Sequence, residues 1–188
     1  MTTNPPTVLV VEDEPEMREL LTTFVRPKYR VKSAETGTEA LQLIDSADAV
    51  LLDRRLPEMM GSEVLDRVRS EGNDVPVAMV SAVDPTFDIL EMEFDDYLTK
   101  PVGQQELLTA VHGLIQRLDY DDVIREYLAL ASKVKLLESE KPRHQLDRHE
   151  GYVALRKRFD AIKHDARATL NESIDRDEVT ELMARIEG

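Results

Sequence analysis

The spacing of hydrophobic positions changes character near residue 119. Before that point, short apolar runs alternate with stretches of helical period. Thr7–Val11 is a continuous apolar run, as expected of a strand covered on both faces. Pro15 suits the first turn of a helix reaching Val25, because its missing N–H would be an orphan donor there in any case. Tyr29–Ala34 reads as a strand, and Thr36 with Glu39 forms a capping-box pattern that opens a helix to about Asp45. Ala49–Asp53 is a third apolar strand. Gly61 and Ser62 start a helix to about Ser70, with Leu65 and Val68 facing inward. Asn73 to Pro76 is a turn, Val77–Ser81 a fourth strand and Asp96–Leu98 a short fifth. Gln104–Leu118 places Leu107, Leu108, Val111, Leu114 and Ile115 on one helix face.

Beyond residue 119 only the helical period remains. Tyr120, Val123, Tyr127, Leu130, Val134 and Leu137 recur three and four residues apart. Lys141, Pro142 and Arg143 break the run. Tyr152, Leu155, Phe159, Ile162, Ala166 and Thr169 repeat the spacing. Two such helices joined by a short break predict an antiparallel hairpin. Asp175–Ile186 adds a third short helix, and with no Gly- or Ser-rich linker the first tail helix is expected to run on from the helix before it. The expected domains are therefore 1–119 and 120–188.

Strict alternation of strand and helix predicts an α/β domain with a parallel sheet and helices on both faces, joined by right-handed crossovers. Ligands of such sheets bind beyond the strand C-termini. The residues falling there are chemically loaded. The first strand runs into Glu12 and Asp13, the third ends in Asp53, the fourth in Ser81, and the fifth is followed by Thr99, Lys100 and Pro101. Three crowded carboxylates repel one another, and a hard divalent cation with oxygen ligands relieves the repulsion.

Composition narrows the classes. The chain has no Cys, which excludes disulfides and thiolate metal sites. No apolar run approaches the roughly 20 residues of a membrane span, and the polar N-terminus lacks a signal pattern, so a cytoplasmic location with no membrane partner is expected. The net charge of −14 is uneven: residues 1–119 carry 11 Lys and Arg against 23 Asp and Glu, residues 120–188 carry 13 against 15. The acidic part repels nucleic acid, while the near-neutral tail does not. Such acidity also suits high salt, where screening shortens the reach of self-repulsion.

In this order and context, Glu12, Asp13, Asp53, Ser81, Lys100 and Pro101 resemble the receiver domain of two-component response regulators, over about Thr7 to Leu118. The resemblance implies a flavodoxin-like five-stranded sheet of order 2-1-3-4-5. It implies a phosphorelay role: Asp53 accepts a phosphoryl group from a phosphohistidine of a sensor histidine kinase. It implies Mg²⁺, ligated by Asp13, Asp53 and the Arg55 backbone carbonyl, with Glu12 acting mainly through water. Lys100 and Ser81 would contact the phosphoryl group, Tyr97 would turn inward as Ser81 moves, and Lys100–Pro101 would be cis. The protein would be a phosphoacceptor with self-catalysed transfer and dephosphorylation, not an enzyme of multiple turnover. The tail resembles the HalX domain found after receivers in halophilic archaea.

Each residue also has a plainer reading. Asp53 can cap its strand, Glu12 and Asp13 can cap the helix at Pro15, and Ser81 can be a turn residue. Lys100 can be solvated, Tyr97 can be core, and Arg55 can either lie over the phosphoryl group or point to solvent. An aspartyl phosphatase also uses a strand-end carboxylate but usually wants a second Asp two residues on, where this chain has Arg55. One departure from the receiver pattern stands out. Only 18 residues separate Ser81 from Lys100, and Phe87 to Phe94 lacks a clear long helix, so the fourth helix is expected to be short or irregular and the usual dimerisation mode is in doubt.

Two function classes remain for the tail. Its apolar stripes can bury against each other, a downstream protein or a second copy of the chain as a homodimer. Alternatively, Arg156, Lys157, Arg158, Lys163, His164 and Arg167 can line a helix on DNA, making the protein a transcription regulator controlled by Asp53. Asp160 and Asp165 interrupt that row, and no winged-helix or helix-turn-helix pattern accompanies it. His144, His149 and His164 are too scattered for a metal site.

Overall fold

The computed structural model describes residues 5–172, apart from the side chains of 167, 168 and 170–172. The expected helix at Asp175–Ile186 and the candidate cation Arg167 lie outside what is described. The described residues form two compact units. One contains residues from 1–83 and 92–119, the other residues from 84–91 and 120–188.

The first unit is a five-stranded, all-parallel sheet in the order β2-β1-β3-β4-β5. The strands are β1 (Thr7–Val11), β2 (Arg30–Ala34), β3 (Ala49–Asp53), β4 (Val77–Ser81) and β5 (Asp96–Thr99). Every residue of β1, β3 and β4 is buried, which explains their unbroken apolar runs, whereas the edge strand β2 is mostly exposed. The helices are α1 (Pro15–Val25), α2 (Gly37–Leu43), α3 (Gly61–Ser70) and α4 (Gln104–Gln116). Val8, Val10, Leu51, Ala78 and Val80 pack with Leu21 and Val25 of α1 and with Leu107, Val111 and Leu114 of α4 in one core.

Local signals explain most boundaries. Pro15 occupies the start of α1, preceded by Glu14, whose side chain makes no capping bond. At α2 the Thr36 hydroxyl accepts from the Glu39 amide at 3.1 Å. The return bond goes one residue further back than a capping box requires, from the Glu35 amide to Glu39 Oε2 at 2.8 Å. The expected continuity at the end of the unit is not found. After α4 a 3₁₀ turn at Arg117–Asp119 intervenes, and the next helix begins at Asp122. Arg117 is buried, with its guanidinium 3.9 Å from Asp95, which also pairs with Arg69 at 3.2 Å.

The second unit is built on α5 (Asp122–Glu140), a single turn α6 (Arg143–Leu146) and α7 (Glu150–Glu172). Tyr127 and Phe159 stack at 5.3 Å, with Leu130, Val134, Leu137, Tyr152 and Leu155 buried around them. The expected hairpin stripes are thus its core. The helix expected to be short or irregular between β4 and β5 is a 3₁₀ turn at Phe87–Leu90, and it belongs to this unit. No helix among the described residues is long and apolar enough to cross a membrane.

Gly61 ties fold to site. A Cβ built there would stand 2.1 Å from the Asp53 backbone oxygen, while the Gly61 amide donates to the Arg54 oxygen at 2.9 Å. Both clashing parts are backbone, so neither can swing away. Gly61→Ala should cost at least the upper part of the roughly 1–3 kcal/mol typical of overpacking. Urea unfolding checks this, and an unchanged midpoint would contradict the close approach.

Candidate functional site

The sheet register sets the site. Val11 pairs with Leu52, Asp53 with Val80 and Ser81 with Thr99. The residues that end or follow β1, β3, β4 and β5 therefore reach one edge together: Glu12, Asp53, Ser81 and Lys100. Glu12 and Asp53 are buried, at 1% and 6% exposure, and Asp13 is exposed. One carboxylate oxygen from each of Glu12, Asp13 and Asp53 lies within 4.8 Å of the others. Among the described residues this is the cluster suited to a metal ion. A hard-oxygen donor set of this kind fits Mg²⁺.

Lys100 is the counterion. Its Nζ lies 2.6 Å from Glu12 Oε2 and 3.1 Å from Asp53 Oδ2. The plainer reading of a solvated lysine is thereby excluded. The Lys100–Pro101 peptide is cis, and the Lys100 amide donates to the Ser81 oxygen at 2.8 Å. Burial pushes the Glu12 carboxyl above its ordinary value; the bond from Lys100 opposes the rise and the charge of Asp53 adds to it. Burial works to lower the Lys100 ammonium, but the bond to Glu12 and the charges of Asp53 and Glu12 outweigh it and hold the group above its ordinary value.

Asp53 also accepts from the Arg55 amide at 3.3 Å, as the plainer capping reading expects. The Arg55 side chain is exposed. Ser81 is buried, and its Oγ accepts from the Val83 amide at 3.0 Å. Tyr97 is turned inward, and its hydroxyl donates to the Val83 oxygen at 3.0 Å. Ser81 and Tyr97 thus hold the two successive peptide units on either side of Val83.

One supporting residue escaped sequence reasoning. Arg18 on α1 donates from Nη1 to the backbone oxygens of Glu12, at 2.7 Å, and of Asp13, at 3.1 Å. Its Nη2 pairs with Glu35 at 2.6 Å. The acidic loop is therefore fixed by a cation that touches its backbone rather than its carboxylates. The only sequence signal is an arginine one turn into the helix.

In the cationic row of α7, Arg156, Arg158 and Lys163 are engaged. Arg156 pairs with Glu138 of α5 at 3.0 Å and with Asp160 at 3.5 Å. Arg158 donates to Glu126 at 2.6 Å, and Arg156 and Lys163 lie over the Phe159 ring. The pairs with Glu138 and Glu126 bind α7 to α5, and together these contacts reduce the free charge available to a phosphate backbone. His149 stacks on Phe87, and the histidines form no metal cluster among the described residues.

The family model of the response regulator receiver domain matches residues 8–112, and that of the HalX domain matches residues 116–183. A Haloferax volcanii protein named "Putative transcriptional regulator" is 38% identical over 165 residues, covering 87% of this chain and 28% of that protein. The response regulator MprA of Mycolicibacterium vanbaalenii is 38% identical over 132 residues, covering 67% of this chain and 57% of that protein. The chain thus spans about a quarter to a little over half of these relatives. The receiver domain of Francisella response regulator 1452 superposes with a TM-score of 0.56 at 33% identity, over 60% of this chain and 98% of that structure.

Removing the lysine should expose the charge imbalance. In Lys100→Met the buried Glu12 and Asp53 lose their cation, at a cost of about 3–5 kcal/mol near neutral pH when divalent ions are chelated. Glu12 then rises further above its ordinary value. A raised carboxyl favours the folded state once protonated, so part of the deficit returns as pH falls towards the unfolded value of about 4.3. Urea unfolding at pH 7 and pH 5 tests this; equal deficits at both would contradict the assignment.

Proposed function

The chain belongs to the response regulators, with a receiver domain followed by a HalX domain, and from that premise we propose that it carries a phosphorelay signal in the cytoplasm by accepting a phosphoryl group on Asp53. The supporting observation is the convergence of three carboxylates and Lys100 on one sheet edge. The donor is a phosphohistidine of a sensor kinase. The phosphorus–nitrogen bond breaks, an Asp53 carboxylate oxygen forms the new bond to phosphorus, and the electron pair leaves with the imidazole. Phosphoryl transfer asks mainly for positioning and charge neutralisation.

Asp13, Asp53 and the Arg55 backbone carbonyl are the protein ligands for Mg²⁺, with Glu12 acting through water. When bound, Mg²⁺ supplies positive charge to the phosphoryl oxygens. The chain's own residues do the rest. Lys100 places an ammonium against Asp53 and balances Glu12. The Ser81 hydroxyl donates to a phosphoryl oxygen, and Tyr97 keeps its inward position through Val83. The acyl phosphate is lost to water rather than turned over on other substrates, consistent with Arg55 standing where an aspartyl phosphatase has its second acid. The helical unit transmits the state by protein contact, which the pairing of Arg156 and Arg158 with carboxylates of α5 favours over DNA.

Intact-mass measurement after incubation with a small acyl phosphate and Mg²⁺ tests the acceptor. One phosphoryl group on the wild type and none on Asp53→Asn are expected. Full labelling of the variant would sink the assignment, and sustained hydrolysis of unrelated phosphate esters would revive the phosphatase reading.

A further inference from the structure

Asp13 is the exposed carboxylate of the metal cluster, beside two buried ones. It lies in the loop 12–14 that joins β1 to α1, past the last sheet pair of β1, Val11 with Leu52. Neither packing nor the sheet ladder places its side chain, yet one of its oxygens stands within 4.8 Å of oxygens of Glu12 and Asp53. Arg18 supplies the missing restraint. Its Nη1 donates to the carbonyls of Glu12 and Asp13, at 2.7 and 3.1 Å, so the peptide planes leading into and out of Asp13 are both held. Its Nη2 pairs with Glu35 at 2.6 Å, and the Glu35 amide donates to Glu39 in the first turn of α2 at 2.8 Å. The Glu12 amide donates to the Ala34 oxygen, at the end of β2, at 3.1 Å. The acidic loop is therefore braced from the β2 edge of the sheet, opposite the β5 edge that delivers Lys100.

We infer that Arg18, braced by Glu35, is a positioning residue for Mg²⁺: by fixing the peptide planes on either side of Asp13 it sets where that carboxylate stands. The inference rests on the Mg²⁺ reading of this edge proposed above. A guanidinium suits the task, since its rigid planar fork reaches two carbonyls and a carboxylate at once, whereas an ammonium is a point charge on a flexible stem. The competing role for Arg18 is that of a counter-charge to the acids, and the two roles predict opposite signs. A cation near the site repels Mg²⁺, so removing a mere counter-charge tightens binding. Removing a positioning group weakens binding, because the ion must then order the loop itself.

Calorimetric titration of Mg²⁺ into the metal-free full chain tests the inference. It is run on the wild type, Arg18→Gln, Arg18→Lys, Asp13→Asn and the double variant Arg18→Gln with Asp13→Asn, each first shown to be folded by urea unfolding. Arg18→Gln should bind about 10-fold more weakly, the low end of the loss typical when a group that orients a metal ligand is removed. Arg18→Lys, with the charge but not the fork, should regain only part of the affinity. Since Arg18 acts through Asp13, the double variant should bind no more weakly than Asp13→Asn alone. Unchanged or tighter binding by Arg18→Gln, or losses that add in the double variant, would overturn the inference. Glu35→Gln, at an exposed carboxylate, carries the test if Arg18→Gln fails to fold. A loss of about 2-fold is expected there, and tighter binding would contradict the brace. A wild type with no saturable Mg²⁺ binding would overturn the metal reading on which the inference rests. A wild type that binds Mg²⁺ yet takes no phosphoryl group from a small acyl phosphate would overturn the phosphoacceptor reading and leave the brace standing.

Discussion

Three carboxylates held at one sheet edge against a single ammonium are the constraint on which the first unit depends. Like charges at this spacing cannot all remain ionised in a poorly hydrated place without a cation. Lys100 meets part of the need by touching both Glu12 and Asp53, which leaves three carboxylates against one ammonium. An edge left short of positive charge is suited to a divalent cation, and then to a phosphoryl group brought with it.

The surrounding structure holds this arrangement together. Parallel register brings four strand ends level, which no short-range contact could do. Arg18 grips the carbonyls behind Glu12 and Asp13, leaving their carboxylates to the site. Gly61 lets the start of α3 press on the backbone of Asp53. Val83 sits where the site meets the crossover, pinned by Ser81 on its amide and Tyr97 on its carbonyl.

Much of this was legible in the sequence. Buried parallel strands must be continuously apolar, so β1, β3 and β4 were visible, and so were the polar residues that close them. The two helical stripes of the tail gave the hairpin for the same reason. What could not be read depends on contacts between distant backbone groups. Arg18 looks like any helix-surface arginine until its carbonyl partners are known. The need for glycine at 61 arises from a loop eight residues earlier in sequence. The end of α4 was read to within two residues, but the break before α5 was not, since Arg117, an ordinary surface residue by type, is buried beside Asp95. The shortage of helix between Ser81 and Lys100 was apparent, but the packing of Phe87–Leu90 with α5 and α7 was not, since four residues carry no useful period.

The most direct test of the central claim is calorimetric titration of Mg²⁺ into the metal-free protein, beside Asp13→Asn. Asp13 is the exposed member of the cluster, so its substitution removes a proposed ligand without opening the core. The charge deficit predicts one Mg²⁺ per chain in the wild type and clearly weaker binding in the variant. No saturable binding by the wild type, or equal binding by both, would contradict the claim that this sheet edge is built to hold a divalent cation.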